Sequence, residues 1–205
     1  MLHKELGIQY SKLAEVIPTS ENAFKAINAF REALQIYDKD RFPIDYAMVY
    51  VYLGSVYRKL ATLKDETKNY YEAVKCFNNA LEVLDVDNNP LEYSMVQNNL
   101  GIIHGHLAEN EDSADDCHKA INAFTQALKI RTKKNYPLLY ASTQNDLGTA
   151  YSICSQMDNT CTRENTIQKA LDAYESALSV FTEHEFPEIY KLIMNNIKEL
   201  LKLKQ

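Results

Sequence analysis

The side chains best suited to covalent or metal chemistry in this chain are its four cysteines: Cys76, Cys117, Cys154 and Cys161. No two of them stand in the C-x-x-C spacing that is typical of zinc sites and of thiol oxidoreductases. Cys154 and Cys161 flank a polar stretch, so a disulfide or a zinc site there is the alternative. Because the ligand spacing is absent and a cytoplasmic protein keeps its thiols reduced, we predict four free thiols and no bound metal.

Three histidines, His104, His106 and His118, are close in sequence. On a helix of about 3.6 residues per turn, His104 and His106 project about 200° apart, so the two rings cannot bind one ion together. The chain also lacks G-x-S-x-G, a phosphate-binding loop, H-E-x-x-H and the Rossmann glycine fingerprint. We therefore predict a protein that is not an enzyme, with no catalytic residue, no metal and no cofactor.

An internal repeat determines where any binding residue must lie. Gly7, Gly54, Gly101 and Gly148 follow one another at intervals of 47 residues, and each is preceded by a leucine. Alanine–leucine pairs and prolines recur with the same period, except that their last interval is 50 residues. A fixed period of this size is typical of repeat proteins, in which each period is one supersecondary unit. We expect the three extra residues to form a loop in the polar stretch 157–165.

Each repeat contains two segments in which apolar residues recur at i, i+3, i+4 and i+7, the spacing of one helix face. The recurring prolines fit the first turn of a helix, where the missing N–H is not needed. The repeated glycines are expected where a neighbouring helix, lined by small alanines, passes too close for a Cβ atom. We predict nine helices, at roughly 2–16, 21–37, 44–63, 67–84, 91–108, 113–131, 138–156, 165–181 and 187–203.

The order Leu53-Gly54-x-x-Tyr57 followed by Ala73-x-x-x-Phe77-x-x-Ala80 resembles the tetratricopeptide repeat signature. The usual period of that family is about 34 residues, so this chain resembles its long-repeat prokaryotic variants of about 47 residues. The chain contains no tryptophan, and His104 replaces the tyrosine of the third repeat. The resemblance implies an all-α, right-handed superhelical solenoid of antiparallel helix pairs. It also implies binding on the concave face.

We expect one domain over residues 1–205, with four repeats of 47 to 50 residues and a C-terminal capping helix. The sequence is already repetitive at residues 1–7, which leaves no room for a signal peptide, and no segment has 18 consecutive apolar residues. The net charge of −6 argues against nucleic acid, which needs a basic stripe. The basic cluster at 129–134, which includes Arg131, is predicted to be a solvated helix end. We expect a cytoplasmic protein that binds neither membrane nor nucleic acid.

Candidate binding residues come from the position three residues before each repeated glycine, on the face that the family makes concave. They are Lys4, Val51, Asn98 and Asn145, with Asn195 as the counterpart in the last helix. Asparagine carries both a donor and an acceptor, so a row of these side chains could pair with the backbone of an extended peptide. The alternative is that they are ordinary polar residues that bond one another. Arg58, with Lys59, would favour acidic segments.

These observations predict a scaffold that binds a protein or an extended peptide on its concave face. Two alternatives stay open. The first is a regulatory sensor that takes a small ligand or a signalling peptide. The second is an accessory repeat module of an enzyme.

Overall fold

The computed structural model describes residues 2–16, 19–64, 66–157 and 163–203, and all regular secondary structure in these ranges is helical. The nine helices found there are α1 (Leu2–Val16), α2 (Ser20–Ala33), α3 (Pro43–Ala61), α4 (Glu66–Leu81), α5 (Pro90–Glu111), α6 (Ala114–Leu128), α7 (Pro137–Met157), α8 (Arg163–Leu178) and α9 (Pro187–Lys202). The predicted helix class and helix number are therefore confirmed. None of these helices combines the length and the apolar character needed to cross a bilayer.

Local sequence explains where the helices begin. Four odd-numbered helices, α3, α5, α7 and α9, begin at the recurring prolines. Two even-numbered helices begin with a side-chain cap. The Thr19 hydroxyl accepts a hydrogen bond from the Asn22 N–H at 3.3 Å, and the Ser113 hydroxyl accepts one from the Asp116 N–H at 3.2 Å.

The even-numbered helices end three or four residues earlier than predicted, at the repeated alanine–leucine pair. In the first repeat the Ala33 carbonyl accepts hydrogen bonds from the N–H groups of Ile36 at 3.0 Å and Tyr37 at 2.9 Å. The carbonyls of Ala80, Ala127 and Ala177 each accept the same two bonds. The i→i+3 hydrogen bond, from Ile36 to Ala33 in the first repeat, tightens the last turn and ends the helix. The spacing of apolar residues in the sequence does not reveal this end.

The four repeated glycines each face an aromatic ring. A Cβ atom built on Gly101 would lie 2.6 Å from the Phe124 ring, and one on Gly148 would lie 2.7 Å from the Tyr174 ring. The distances at Gly7 and Gly54 are 2.6 and 3.0 Å, to phenylalanine rings of α2 and α4. The predicted close approach is confirmed, but the partner is an aromatic ring of the following helix rather than an alanine.

The chain divides into two compact units, Met1–Val96 and Gln97–Gln205. In unit 1, α1 packs on α2, α3 packs on α4, and α3 also contacts α1 and α2. In unit 2, α7 packs on α8 and on α6, and α9 packs on α8 and α7. Within each unit, helices that are neighbours in sequence pack on one another, which is consistent with a helical-repeat solenoid.

Candidate binding sites

The predicted binding residues are not equally accessible. Val51 and Asn98 are only 2% and 9% exposed. Their side chains therefore cannot contribute much to a binding surface, which corrects the sequence prediction at these two positions. Asn145 is half-buried and Asn195 is exposed. From Val51 to Asn195, this position of the repeat thus becomes more exposed along the chain.

Asn98 belongs to a buried set of three side chains in unit 2 that we call the polar trio: Asn98, Arg131 and Thr143. The Arg131 guanidinium donates to the Thr143 hydroxyl at 3.0 Å, and that hydroxyl donates to the Asn98 amide oxygen at 2.7 Å. Arg131 is 6% exposed, so the prediction of a solvated helix end is wrong at this residue. Burial lowers the pKa of the Arg131 guanidinium, and the Asp146 carboxylate opposes this shift.

The equivalent positions in the neighbouring repeats are mostly apolar. One repeat earlier they are occupied by Val51, Leu84 and Val96, which are at most 2% exposed. One repeat later they are occupied by Asn145, Phe181 and Ile193.

Asn145 lacks the polar neighbours that Asn98 has, because Phe181 and Ile193 occupy the positions of Arg131 and Thr143. Its amide nitrogen donates to the Asp146 carboxylate at 3.3 Å. Its amide oxygen is buried and has no hydrogen-bond partner among the described residues.

Lys4, the first residue of this column, is bound within unit 1. Its ammonium group donates to the Asp45 carboxylate at 2.6 Å and lies 5.7 Å from the centre of the Tyr37 ring. Both contacts come from outside its own helix. Lys4 and Asn98 therefore each bond to a side chain of the following repeat, and not to one another as the sequence alternative expects.

Arg58 lies in a small groove that we call the unit 1 groove. The groove has a volume of about 160 Å³ and is lined mainly by residues of α3, including Ser55, Arg58 and Lys59, with Ser11 from α1 and Ala23 from α2. The Arg58 Nε atom is buried and has no hydrogen-bond partner among the described residues. A buried cationic donor of this kind is suited to an acceptor supplied from outside.

Unit 2 contains a groove of about 220 Å³ between α5 and α7, which we call the unit 2 groove. Its floor includes Phe124, and His106, Glu109 and Asp146 contribute charged or polar groups. Gly105 opens it: a Cβ atom built there would meet nothing within 4 Å. Sequence reasoning missed this groove, although Gly105 is the one glycine that does not fit the 47-residue register.

The two grooves occupy equivalent positions two repeats apart. Four residues that line the unit 1 groove, Ser11, Ser55, Val56 and Lys59, correspond in the repeat to Gly105, Thr149, Ala150 and Ile153, which line the unit 2 groove. The groove is therefore a product of the repeat itself. The residue types that line it differ between the two units.

A polar pair links α5 to the start of α6: the His104 ring nitrogen Nδ1 on α5 is 2.8 Å from the Asp116 carboxylate on α6. Burial lowers the pKa of His104, and Asp116 only partly opposes this shift. Burial alone would raise the pKa of the Asp116 carboxyl, but hydrogen bonds from Ser113 and His104 outweigh this effect and lower the pKa. In the described part of the chain, no group of three or more His, Cys, Asp or Glu side chains is arranged to hold a metal ion.

The cysteine prediction is wrong for two residues, because Cys117 and Cys154 form a disulfide between α6 and α7. Their Cα atoms are 5.8 Å apart although 37 residues separate them in sequence, so only the tertiary fold brings them together. Cys76 is a buried free thiol, and burial raises its pKa to about 12. Cys161 lies outside the described residues.

Comparison with family models finds no match to this chain, and comparison with curated proteins finds no relative.

Proposed function

We propose that this chain is a tetratricopeptide-type repeat protein that binds extended protein segments in the groove between α1 and α3 and in the groove between α5 and α7. The observation that carries the proposal is the recurrence of one groove at equivalent helix positions in both units. With volumes of about 160 and 220 Å³, the grooves are smaller than the range of about 300–1,000 Å³ typical of small-molecule pockets. Their size suits single side chains of a partner.

The unit 1 groove favours an acidic side chain. Arg58 offers a buried donor without a partner among the described residues, and Lys59 adds a second positive charge. A carboxylate in the groove would accept a charge-assisted hydrogen bond, which contributes about 1.5–3 kcal/mol. This agrees with the expectation from sequence that Arg58 directs the protein to acidic segments.

The unit 2 groove favours an apolar side chain next to a polar or basic one. Ile102, Phe124 and Ile153 provide apolar surface, and Glu109 provides an exposed carboxylate. Asn195, exposed on α9, remains available for the backbone of a bound segment. Backbone hydrogen bonds of this type contribute about 0.5–1.5 kcal/mol each, so we propose that the side-chain grooves dominate the affinity.

The proposal is tested by selecting a library of random displayed peptides against the full chain. We expect enrichment of peptides that carry Asp or Glu at a fixed position, with micromolar affinity. The Arg58→Gln variant should lose this enrichment. Arg41→Gln removes the same charge from an exposed residue in unit 1 that does not line the groove, and it should leave the selected peptides unchanged.

A groove-filling variant tests unit 2 separately. Gly105 has open space where its Cβ atom would be, so Gly105→Leu should fill the groove while the fold, followed by circular dichroism, is kept. If peptides bind equally well to Arg58→Gln, Gly105→Leu and the unmodified chain, the grooves are not the binding surface and the proposal fails.

A further inference from the structure

A second cavity in unit 2 lies apart from the unit 2 groove, between α6, α7 and α8. It has a volume of about 500 Å³, and the Cys117–Cys154 disulfide forms part of its wall. Tyr151, Lys169 and Met157 also line it. This volume falls within the range of about 300–1,000 Å³ that small-molecule sites occupy. We call it the disulfide cavity.

Comparison of the repeats indicates why the cavity forms here. Cys117 occupies the position that Tyr70 occupies one repeat earlier, and Tyr70 is a large side chain that is only 1% exposed. The smaller cysteine leaves space that a tyrosine would fill. Two repeats before Cys117 and Cys154, the same two positions hold Ala23 and Leu60, each 1% exposed. Ordinary apolar packing therefore suffices at this place, and the fold does not require a cross-link there.

The charge of the cavity favours an anion. Lys169 is exposed, and its ammonium group lies 5.9 Å from the centre of the Tyr151 ring. The His118 nitrogen Nδ1 donates to the Ala114 carbonyl oxygen at 2.6 Å, so Nε2 of the neutral ring is an acceptor and the favourable charge comes from Lys169. The described residues that line the cavity include no Asp or Glu.

The two cysteines differ in exposure. Cys117 is 1% exposed, whereas Cys154 is half-buried. Cys154 is therefore the expected target of a nucleophile that enters the cavity. The Cys117 sulfur lies 3.4 Å from the Ala150 carbonyl oxygen, which can accept a hydrogen bond from Cys117 once that residue is a thiol.

We propose that the disulfide cavity is a thiol–disulfide exchange site for a small thiol that carries negative charge. The thiolate of the ligand attacks the Cys154 sulfur, the bond between the two cysteine sulfurs breaks, and a mixed disulfide forms at Cys154. The electron pair of the broken bond leaves on the Cys117 sulfur, which takes a proton from solvent; the resulting thiol donates a hydrogen bond to the Ala150 carbonyl oxygen. A second thiol of the same class attacks the ligand sulfur, which releases the ligand as its disulfide and leaves Cys154 as a thiol.

The exchange removes the covalent link between α6 and α7. In a reducing compartment such a disulfide is transient and responds to the thiol pool, whereas structural disulfides belong to oxidising compartments. The site is independent of the grooves, so it stands or fails separately from peptide binding.

The test uses the full chain with Cys161→Ser, which removes the cysteine that lies outside the described residues. The protein is incubated with reduced glutathione as the anionic thiol, or with 2-mercaptoethanol as a neutral thiol, then acid-quenched and mapped by peptide mass spectrometry. We expect the glutathione adduct at Cys154 and none at Cys117. Cys76 is an internal control, because it is buried and outside the cavity.

Two charge variants separate binding in the cavity from simple chemical access. Lys169→Gln should slow adduct formation by glutathione about two- to fivefold and leave the reaction with 2-mercaptoethanol unchanged. Lys133→Gln removes the charge of an exposed lysine in the same unit that does not line the cavity, and it should change neither rate. Three results would overturn the proposal: adducts on Cys117, equal slowing of both reagents in Lys169→Gln, or two free thiols at these positions in protein purified without reductant.

Discussion

Gly101 and Gly105 lie one turn apart on α5 and provide a matched test of the packing in unit 2. Replacement of glycine by alanine inside a helix contributes about 0.5–1 kcal/mol of stability through the backbone alone. At Gly105 nothing opposes this gain, because the new Cβ atom meets no atom within 4 Å. At Gly101 the Cβ atom would lie 2.6 Å from the ring of Phe124, which is 2% exposed and cannot move aside freely.

Overpacking of this kind costs about 1–3 kcal/mol, which exceeds the backbone gain. We therefore expect Gly105→Ala to stabilise the protein by about 0.5–1 kcal/mol and Gly101→Ala to destabilise it by about 0.5–2 kcal/mol. The measurement is urea denaturation of both variants, followed by circular dichroism under one buffer and redox condition. Equal shifts of the two midpoints would refute the reasoning, because the ring would then not restrict the Gly101 position.

Three further predictions concern buried polar groups. Thr143→Val should lower the free energy of unfolding by about 1–3 kcal/mol, because Asn98 and Arg131 each lose a hydrogen bond. The triple variant Asn98→Val, Arg131→Leu and Thr143→Val copies the preceding repeat. It should restore the urea midpoint of the unmodified chain or raise it. His104 has a folded-state pKa below its ordinary value of 6.5, so the unfolded chain binds more protons near that pH and stability falls as the pH drops through it. The His104→Tyr variant should lack this decrease in denaturation curves measured between about pH 7 and 5. Cys76 should react with iodoacetamide only after denaturation, because burial keeps its thiol protonated and inaccessible. Rapid labelling of Cys76 in the native protein, mapped by mass spectrometry, would contradict its buried position.

The helices could be predicted from the sequence because their signals are local. Pro43 and the other recurring prolines fix helix starts, and the repeated glycines fix the register of the odd-numbered helices. The ends of the even-numbered helices were predicted too late, since they depend on backbone hydrogen bonds to the repeated alanine carbonyl, such as that of Ala33.

The polar trio, the disulfide and the grooves were harder to predict, because each is formed by residues that are distant in sequence and meet only in the folded chain. The charged neighbours of Arg131 predict a solvated helix end, although Leu84 and Phe181 at equivalent repeat positions are buried apolar residues and indicate a core position. The disulfide of Cys117 and Cys154 joins separate helices, and no local spacing predicts it. Arg58 was selected from sequence, but the groove around it depends on side chains from two neighbouring helices.

The polar trio affects which helical hairpins can pack on one another during folding. An array of similar hairpins is at risk of docking one hairpin on the wrong neighbour, and the apolar versions of these positions would accept such mispairing. A hairpin that carries Arg131 against a valine in place of Thr143 would bury a guanidinium without this acceptor, at a cost of about 1–3 kcal/mol. The trio therefore makes the packing of α5 and α6 on α7 specific, because docking on a helix that lacks Thr143 is less stable.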